Sequence, residues 1–316
     1  MKPLVSVVIP LYNKESTVAN AIDSVLAQTV ADFELIVIDG HSTDNSAAIV
    51  SSYIDERIRL FSQMGMGVSS ARNQGITLSR ANFIAFLDAD DAWMPDYLET
   101  VLRLRAKFPD AGMYGTAYSV FQKGKFVHDV VLNTASGERV LTSYFGDFVE
   151  LGCPLIITSS FAAPKNVLEG VSGYPEYLRV GEDHELFGKI ALRYPVAYSP
   201  KVCSRYNLDS ENCTDVVDFI LETPLESYLR SQQLETFLKD DSSFAEYMDY
   251  WCIRTGGRNI YSGFREEGRA QLFSVASKRY RVLKRGFLLL SYLPISFGRL
   301  PSGFVRGILR IANLSI

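Results

Sequence analysis

Between Leu4 and Phe108, short β-branched runs alternate with stretches of helical periodicity, and that alternation leaves very few architectures open. LVSVVI (4–9) reads as a strand halted by Pro10. Ser16 then stands as an N-cap before VANAIDSVLAQ, where Val18, Ile22, Val25 and Leu26 recur at helical spacing. FELIVID (33–39) is a second strand of buried type. Ser42, Thr43 and Asp44 offer caps for a helix reaching about Tyr53, and IRLFSQ (58–63) is a third strand. Past the glycine-containing loop 65–67 the pattern predicts a helix from Ala71 to Leu78. FIAFLD (83–88) follows, and then a helix from Pro95 to Phe108 with the proline in its first turn. Strands alternating with helices imply an α/β fold with a mostly parallel sheet covered on both faces. Ligands of such sheets lie beyond the carboxyl ends of the strands, which brings Pro10–Asn13, Asp39–Asp44 and Asp88–Asp91 around one crevice.

After Ala111 the periodicity loosens. YSVFQKGKFVHDVV reads as a hairpin turning at Lys123-Gly124-Lys125, residues 142–151 as a helix, ITSSFAA (157–163) as a strand, and a further helix begins near Glu182. From about Asp215 the chain reads as helices. The expected division is one domain over 1–210, in halves 1–110 and 111–210, followed by a helical region over 211–316. With 316 residues, 47% hydrophobic and 22% charged, the chain can bury a substantial core. Cys153, Cys203, Cys213 and Cys252 match no zinc spacing and are too few for a disulfide scaffold, so a reducing, cytoplasmic setting is expected. MKPLVSVVIP enters a strand at once without the regions of a signal peptide, and the mature protein is expected to begin there. No nucleic-acid partner is expected.

Asp88-Ala89-Asp90-Asp91 follows an apolar strand directly, so its carboxylates project together at the strand's end. Hard oxygen ligands in that arrangement suit Mg²⁺ or Mn²⁺, shared with substrate phosphates. Equally, acids ahead of a helix favour its positive end. Arg72, opening a helix, has the chemistry to meet phosphates, or to lie solvated on the surface. Gly65-Met66-Gly67 is a fragment only, since Ser70 stands where a dinucleotide fingerprint needs its third glycine, and no P-loop occurs. Glu182-Asp183 at a helix start is the second acidic site: either a general base beside an acid, or an N-terminal acidic pair. His41 and His184 form no ligand motif.

In order and spacing, VSVVIPLYNKESTVANAIDSVLAQT, FELIVIDGHSTDNS, GVSSARNQGI, FIAFLDADDAWMPDYLE and GEDHELFGKIA resemble glycosyltransferase family 2, whose members are inverting enzymes of GT-A fold. The resemblance is dense over residues 4–100 and returns at 181–191. It implies a Rossmann-like nucleotide-sugar half over 1–110 and an acceptor-side half over 111–210. Pro10, Tyr12, Asn13 and Asp39 would line the nucleotide pocket and Arg72 would lie near the diphosphate. Asp88, Asp90 and Asp91 would handle ribose, sugar and a Mn²⁺ or Mg²⁺ ion, Asp183 would be the base, and Trp93 and Glu182 would stand on the acceptor side. Many members carry two acids and a glycine before the Ser-Thr-Asp; here Asp39 is followed by Gly40 and His41. UDP is the leading nucleotide and UDP-glucose the leading donor, with GDP and dTDP open. The QxxRW motif of processive members is absent, which implies a single addition per encounter. Within enzymes the competing reading is a nucleotidyltransferase, which would need a glycine-rich loop after the first strand. Outside enzymes it is a nucleotide-sugar-binding scaffold.

After Glu267 there is no acidic residue, whereas Arg269, Lys278, Arg279, Arg281, Lys284, Arg285, Arg299, Arg306 and Arg310 are basic. The stretch 286–316 is rich in Leu, Ile and Phe, but Pro294 and Pro301 interrupt it before the ~20 residues a spanning helix needs. Basic residues near an anionic leaflet contribute roughly 1 kcal/mol each, so the tail is expected either to lie on the inner face of the cell membrane or to pack on the catalytic domain. The acceptor expected for a membrane-lying member is a sugar on a polyprenyl diphosphate, as in O-antigen or other surface-polysaccharide synthesis.

Overall fold

A computed structural model describes residues 2–132, 137–208, 221–225 and 242–292. The chain divides into two units, one of residues 1–142 and 155–211, the other of 143–154 and 212–316. In the first unit the predicted alternation is realised as β1 (Val5–Leu11), α1 (Val18–Leu26), β2 (Phe33–Asp39), α2 (Ser46–Ser51), β3 (Ile58–Ser62), α3 (Gly67–Leu78) and β4 (Phe83–Phe86). A two-residue strand β5 (Ala92–Trp93) and helix α4 (Tyr97–Lys107) follow. Strands β3, β2, β1 and β4 pair in parallel.

The continuous apolar runs are needed because both sheet faces are covered. Val5, Val7, Ile9, Leu35 and Val37 pack with Val18, Ala21, Ile22 and Val25 of α1, while Ile36 and Ile38 pack with Ala71 of α3. Helix α3 lies so close to the sheet that a Cβ at Gly75 would sit 2.3 Å from Val8 Cγ1. Only glycine permits this approach, which brings Arg72, one turn earlier in the helix, to the carboxyl edge of the strands.

The second half adds antiparallel pairings to the sheet, together with one further parallel pair. The hairpin is β6 (Met113–Gln122) and β7 (Lys125–Val130), with Lys123 and Gly124 both at positive φ in its turn. Past the short β8 (Arg139–Val140) and α5 (Tyr144–Leu151), ITSSFAA is part 3₁₀ turn (Thr158–Ser160) and part strand β9 (Phe161–Pro164). Helices α6 (Lys165–Gly170) and α7 (Glu182–Ala191) and strand β10 (Val196–Asn207) complete the unit. The sheet order is β3-β2-β1-β4-β9-β6-β10-β5, with β7 on β6 and β8 on β10. Strand β10 has no counterpart among the expected elements; Pro200 interrupts it, and its pairing with β6 slips between Ser199 and Val202 and again before Ser204.

Helix starts also move. Thr17 rather than Ser16 caps α1, without a side-chain bond, and Asn45 precedes α2, where Asp44 accepts the Ser46 N–H. Helix α3 begins at Gly67, earlier than expected, and Pro95 lies ahead of α4, whose N-cap is Asp96.

The second unit joins α5 to α8 (Ser242–Ser262), α9 (Arg265–Ser274) and α10 (Arg281–Ser291). Phe145 and Phe148 of α5 meet Phe244, Tyr247 and Tyr250 of α8 edge to face, an arrangement in which ring edges meet π-faces. No helix among the described residues is long and apolar enough to cross a membrane, and the tail beyond Tyr292 lies outside them.

Candidate active site

The turn after β4 is held from three directions. Asp88 N–H donates to Ser159 Oγ (3.1 Å), the same hydroxyl donates to Asp91 Oδ2 (2.6 Å), and Asn207 N–H donates to Asp91 Oδ1 (2.9 Å). The Ser159 carbonyl accepts from Trp93 Nε1 and Ser204 Oγ, both at 2.7 Å, and Asn207 Nδ2 donates to the Asp90 carbonyl. Two of the expected site residues are buried here. Asp91 is only 1% exposed, and both its oxygens accept hydrogen bonds from the fold, so it supports the turn. Trp93, expected on the acceptor side, is buried and stacked on Tyr97 at 4.1 Å, where it braces Ser159.

Asp88 and Asp90 remain available, each paired with one cation: Arg72 Nη2 to Asp88 Oδ1 at 2.7 Å and Lys14 Nζ to Asp90 Oδ2 at 3.0 Å. Among the described residues no cluster of three metal-ligating side chains occurs. The donors fit a divalent cation as a pair, Asp88 and Asp90, completed by phosphate and water, which is the usual habit of Mg²⁺. Burial, and then the charge of Asp88, push the Asp90 carboxyl above its ordinary value; Asp91 is raised further, by burial and then by Asp90 and Asp88. A cation between Asp88 and Asp90 would relieve that repulsion.

Arg72 links this turn to the second acidic site. Its side chain is 4% exposed, its Nη1 donates to Glu182 Oε1 at 2.9 Å, and its guanidinium lies 5.0 Å from the Tyr174 ring centre. Arg72 Nε and the Tyr174 hydroxyl are buried with no hydrogen-bond partner among the described residues. Asn73 secures the arrangement by exchanging bonds with the Tyr174 backbone: Nδ2 to O at 2.9 Å, and N–H to Oδ1 at 2.8 Å. Gly173 makes this possible, since its φ is +63° and a Cβ there would come 2.4 Å from Asn73 Oδ1. Asp183 follows Glu182 at the start of α7 and accepts the His184 N–H at 2.8 Å. Burial raises its carboxyl above the ordinary aspartate value, with Arg72 opposing; burial and then Asp183 raise Glu182. His41 and His184 join no metal cluster, since none is found among the described residues.

The β1–α1 and β2–α2 loops interlock beside the turn. Asn13 N–H donates to Ser42 Oγ and Thr43 N–H to Asn13 Oδ1, while Lys14 N–H reaches Ser46 Oγ and Ser42 N–H reaches Asp39 Oδ1. Asn13 and His41 both take positive φ in this lock. Tyr12 is 53% exposed, and beside it β1 and β2 end together, Pro10 opposite Ile38 and Leu11 opposite Asp39. The structure thus gathers Pro10, Tyr12, Asn13, Asp39, Arg72, Asp88 and Asp90 along one strand edge, and Arg72 carries it to Glu182 and Asp183. Sequence reasoning missed Ser159, Asn207, Asn73 and Tyr174. Only the Arg-Asn pairing in SSARNQG hinted at any of them.

The order of motifs along the chain has counterparts in known proteins. Residues 6–167 match the Glycosyl transferase family 2 profile. The chain belongs to this family. It is 40% identical over 129 residues to WfgD of Escherichia coli, a UDP-Glc:alpha-D-GlcNAc-diphosphoundecaprenol beta-1,3-glucosyltransferase, covering 39% of this chain and 51% of that one. It is 37% identical over 135 residues to the putative teichuronic acid biosynthesis glycosyltransferase TuaG of Bacillus subtilis, covering 40% and 53%. The chain thus spans about half the length of each of these two relatives. The family fold is matched by S. aureus TarS 1–349 in complex with UDP-GlcNAc, with a TM-score of 0.69 at 16% identity over 91% of this chain and 89% of that one.

Proposed function

We propose that this chain is an inverting, non-processive transferase that moves a hexose from a nucleoside diphosphate sugar to a hydroxyl of a lipid-diphosphate-linked sugar. UDP-glucose is the leading donor, and the product belongs to a surface polysaccharide. One observation carries the reading: Arg72 ties the Asp88–Asp90 turn, the donor side, to Glu182 and the neighbouring Asp183, the base side. Family membership supplies the sugar-transfer chemistry, and the WfgD name supports both the donor and the lipid-linked acceptor.

Tyr12 and Asp39 would receive the nucleoside, and Arg72, with its unspent Nε–H, would meet the diphosphate. Asp183 accepts the acceptor hydroxyl's proton as that oxygen attacks the anomeric carbon and the bond to the diphosphate breaks on the opposite face; its burial-raised basicity suits the task. Asp88 and Asp90 would hold Mn²⁺ or Mg²⁺, which when bound neutralises the departing diphosphate. An α-linked donor therefore yields a β-linked product.

Membrane attachment rests on α10 and its approach. Val282, Leu289 and Tyr292 are exposed beside Arg281 and Arg285, whereas Lys284 is turned inward to the carbonyls of Phe273 and Val275. Apolar side chains flanked by cations suit the inner face of an anionic membrane. Double reversal to Arg281→Glu and Arg285→Glu is expected to lower binding to anionic vesicles.

The test is incubation of the purified chain with Mn²⁺, a panel of nucleotide sugars and a synthetic lipid-diphosphate sugar. One donor is expected to give a β-linked lipid product, absent with Asp183→Asn. An α-linked product would falsify the mechanism, and UDP binding without turnover on any donor would leave a binding scaffold.

A further inference from the structure

Lys14 lies between β1 and α1 with its ammonium 3.0 Å from Asp90 Oδ2, and only 14% of its side chain and 17% of that of Asp90 are exposed. A loop lysine ordinarily extends into water, since holding a long stem in one geometry costs entropy that an exposed ion pair barely repays. Here the backbone directs it inward. Lys14 N–H donates to Ser46 Oγ at 2.7 Å, Glu15 N–H donates to Asp44 Oδ2 at 3.0 Å, Asn45 N–H donates to Glu15 Oε2 at 2.9 Å, and Asn13 adopts φ +50°. The loop is thus locked onto the start of α2, and its lysine meets the turn after β4.

Asp90 is also the carboxylate that a divalent cation needs beside Asp88. Its side chain is only 17% exposed and follows Asp88 by two residues in the same turn, so a positive partner is favoured whether or not a metal is present. Lys14 fills that need with one carboxylate contact, whereas Arg72 is held by two, Asp88 and Glu182. A donor bringing diphosphate to this edge therefore finds in Lys14 the cation that gives up least by turning towards it.

Resting on the donor-site reading of this edge, we propose that Lys14 couples metal and donor binding. It neutralises Asp90 when no divalent cation is bound, competes with that cation for the carboxylate, and turns to the donor diphosphate once the cation has taken its place. Linkage makes the effect reciprocal: nucleotide that draws Lys14 away tightens metal binding by the factor by which metal tightens nucleotide binding.

Calorimetric titration of the full chain with Mn²⁺ alone, UDP alone and each in the presence of the other tests this, with water-proton relaxation as a second readout of bound Mn²⁺. Lys14→Met is expected to bind Mn²⁺ without nucleotide roughly fivefold or more tighter, to bind UDP more weakly with Mn²⁺ present, and to show a smaller mutual enhancement. Lys14→Arg should keep the parent pattern. Unchanged or weaker Mn²⁺ binding by Lys14→Met, which a merely structural lysine would give, overturns the proposal. Equal UDP binding by parent and Lys14→Met overturns the lysine's role alone, whereas failure of the parent to bind UDP overturns the donor-site reading itself.

Discussion

Buried carboxylates stand at both edges of the sheet, and they are treated in opposite ways. At the amino edge Glu34 is 1% exposed and receives four bonds at 2.7 Å: from Ser6 Oγ, Arg59 Nη1, the Arg80 N–H and Arg80 Nε. Burial works against its charge, but those donors together hold its carboxyl below the ordinary value. At the carboxyl edge Asp90, Asp91, Glu182 and Asp183 are all raised, burial being the largest cause for each. The amino edge spends its donors on stability. At the carboxyl edge donors do not outweigh burial: Asp91 has both oxygens engaged by the fold, whereas Asp90 and Asp183 receive fewer donors than Glu34, the arrangement expected where function is bought with stability.

Asp183→Asn breaks the comparison most strongly. Transfer should fall by about 10²–10⁴-fold in a product assay, the usual worth of a general base, while UDP binding stays close to the parent's. The same change should raise the unfolding midpoint at neutral pH. A carboxyl raised in the folded state contributes stability that is present below its ordinary value of 3.8 and lost as pH rises through the folded one, so the gain should vanish in acid. Denaturant curves of the two proteins at several pH values check the sign.

Glu34→Gln should do the reverse. We expect a loss of about 2 kcal/mol at neutral pH, since hydrogen bonds to a charged acceptor are weakened, with the mechanism untouched. Because the carboxyl of Glu34 is depressed, its contribution is present above its ordinary 4.5 and lost as pH falls through the lowered value. The parent's stability should therefore drop more steeply in acid than the variant's.

Ser159→Ala would sharpen the contrast within the carboxyl edge, by removing the one hydroxyl shared by Asp88 N–H and Asp91. A loss of about 1.5 kcal/mol is expected from the unpaired groups, with Mn²⁺ affinity lowered roughly tenfold as for other residues that orient metal ligands. The smallest effect is expected of Asn73→Ala, about 1 kcal/mol for the lost bonds to Tyr174. If Arg72 depends on that clamp, KM for the donor should rise more than kcat falls.

The strands and helices up to α4 were legible because each carries its own period, and the acidic groups were legible because they follow strand ends at once. Strand β10 was not, since Pro200 interrupts it and only the pairing with β6 makes its residues a strand. Nor could the role of Asp91 be read, because its partners Ser159 and Asn207 lie 68 and 116 residues away. Nor were the neighbours of Trp93 legible, since its bond to the Ser159 carbonyl joins residues 66 apart in the chain.

By itself, then, the sequence determined the family, the alternation that builds the sheet, and the edge at which the acids gather, since these follow from local periodicity and from motifs contiguous in the chain. Only the tertiary structure decided that Asp91 is engaged by Ser159 and Asn207, and that Arg72 and Lys14 pair with Asp88 and Asp90. A carboxylate's availability depends on burial and on the donors that surround it, and here the deciding donors come from segments distant in the chain.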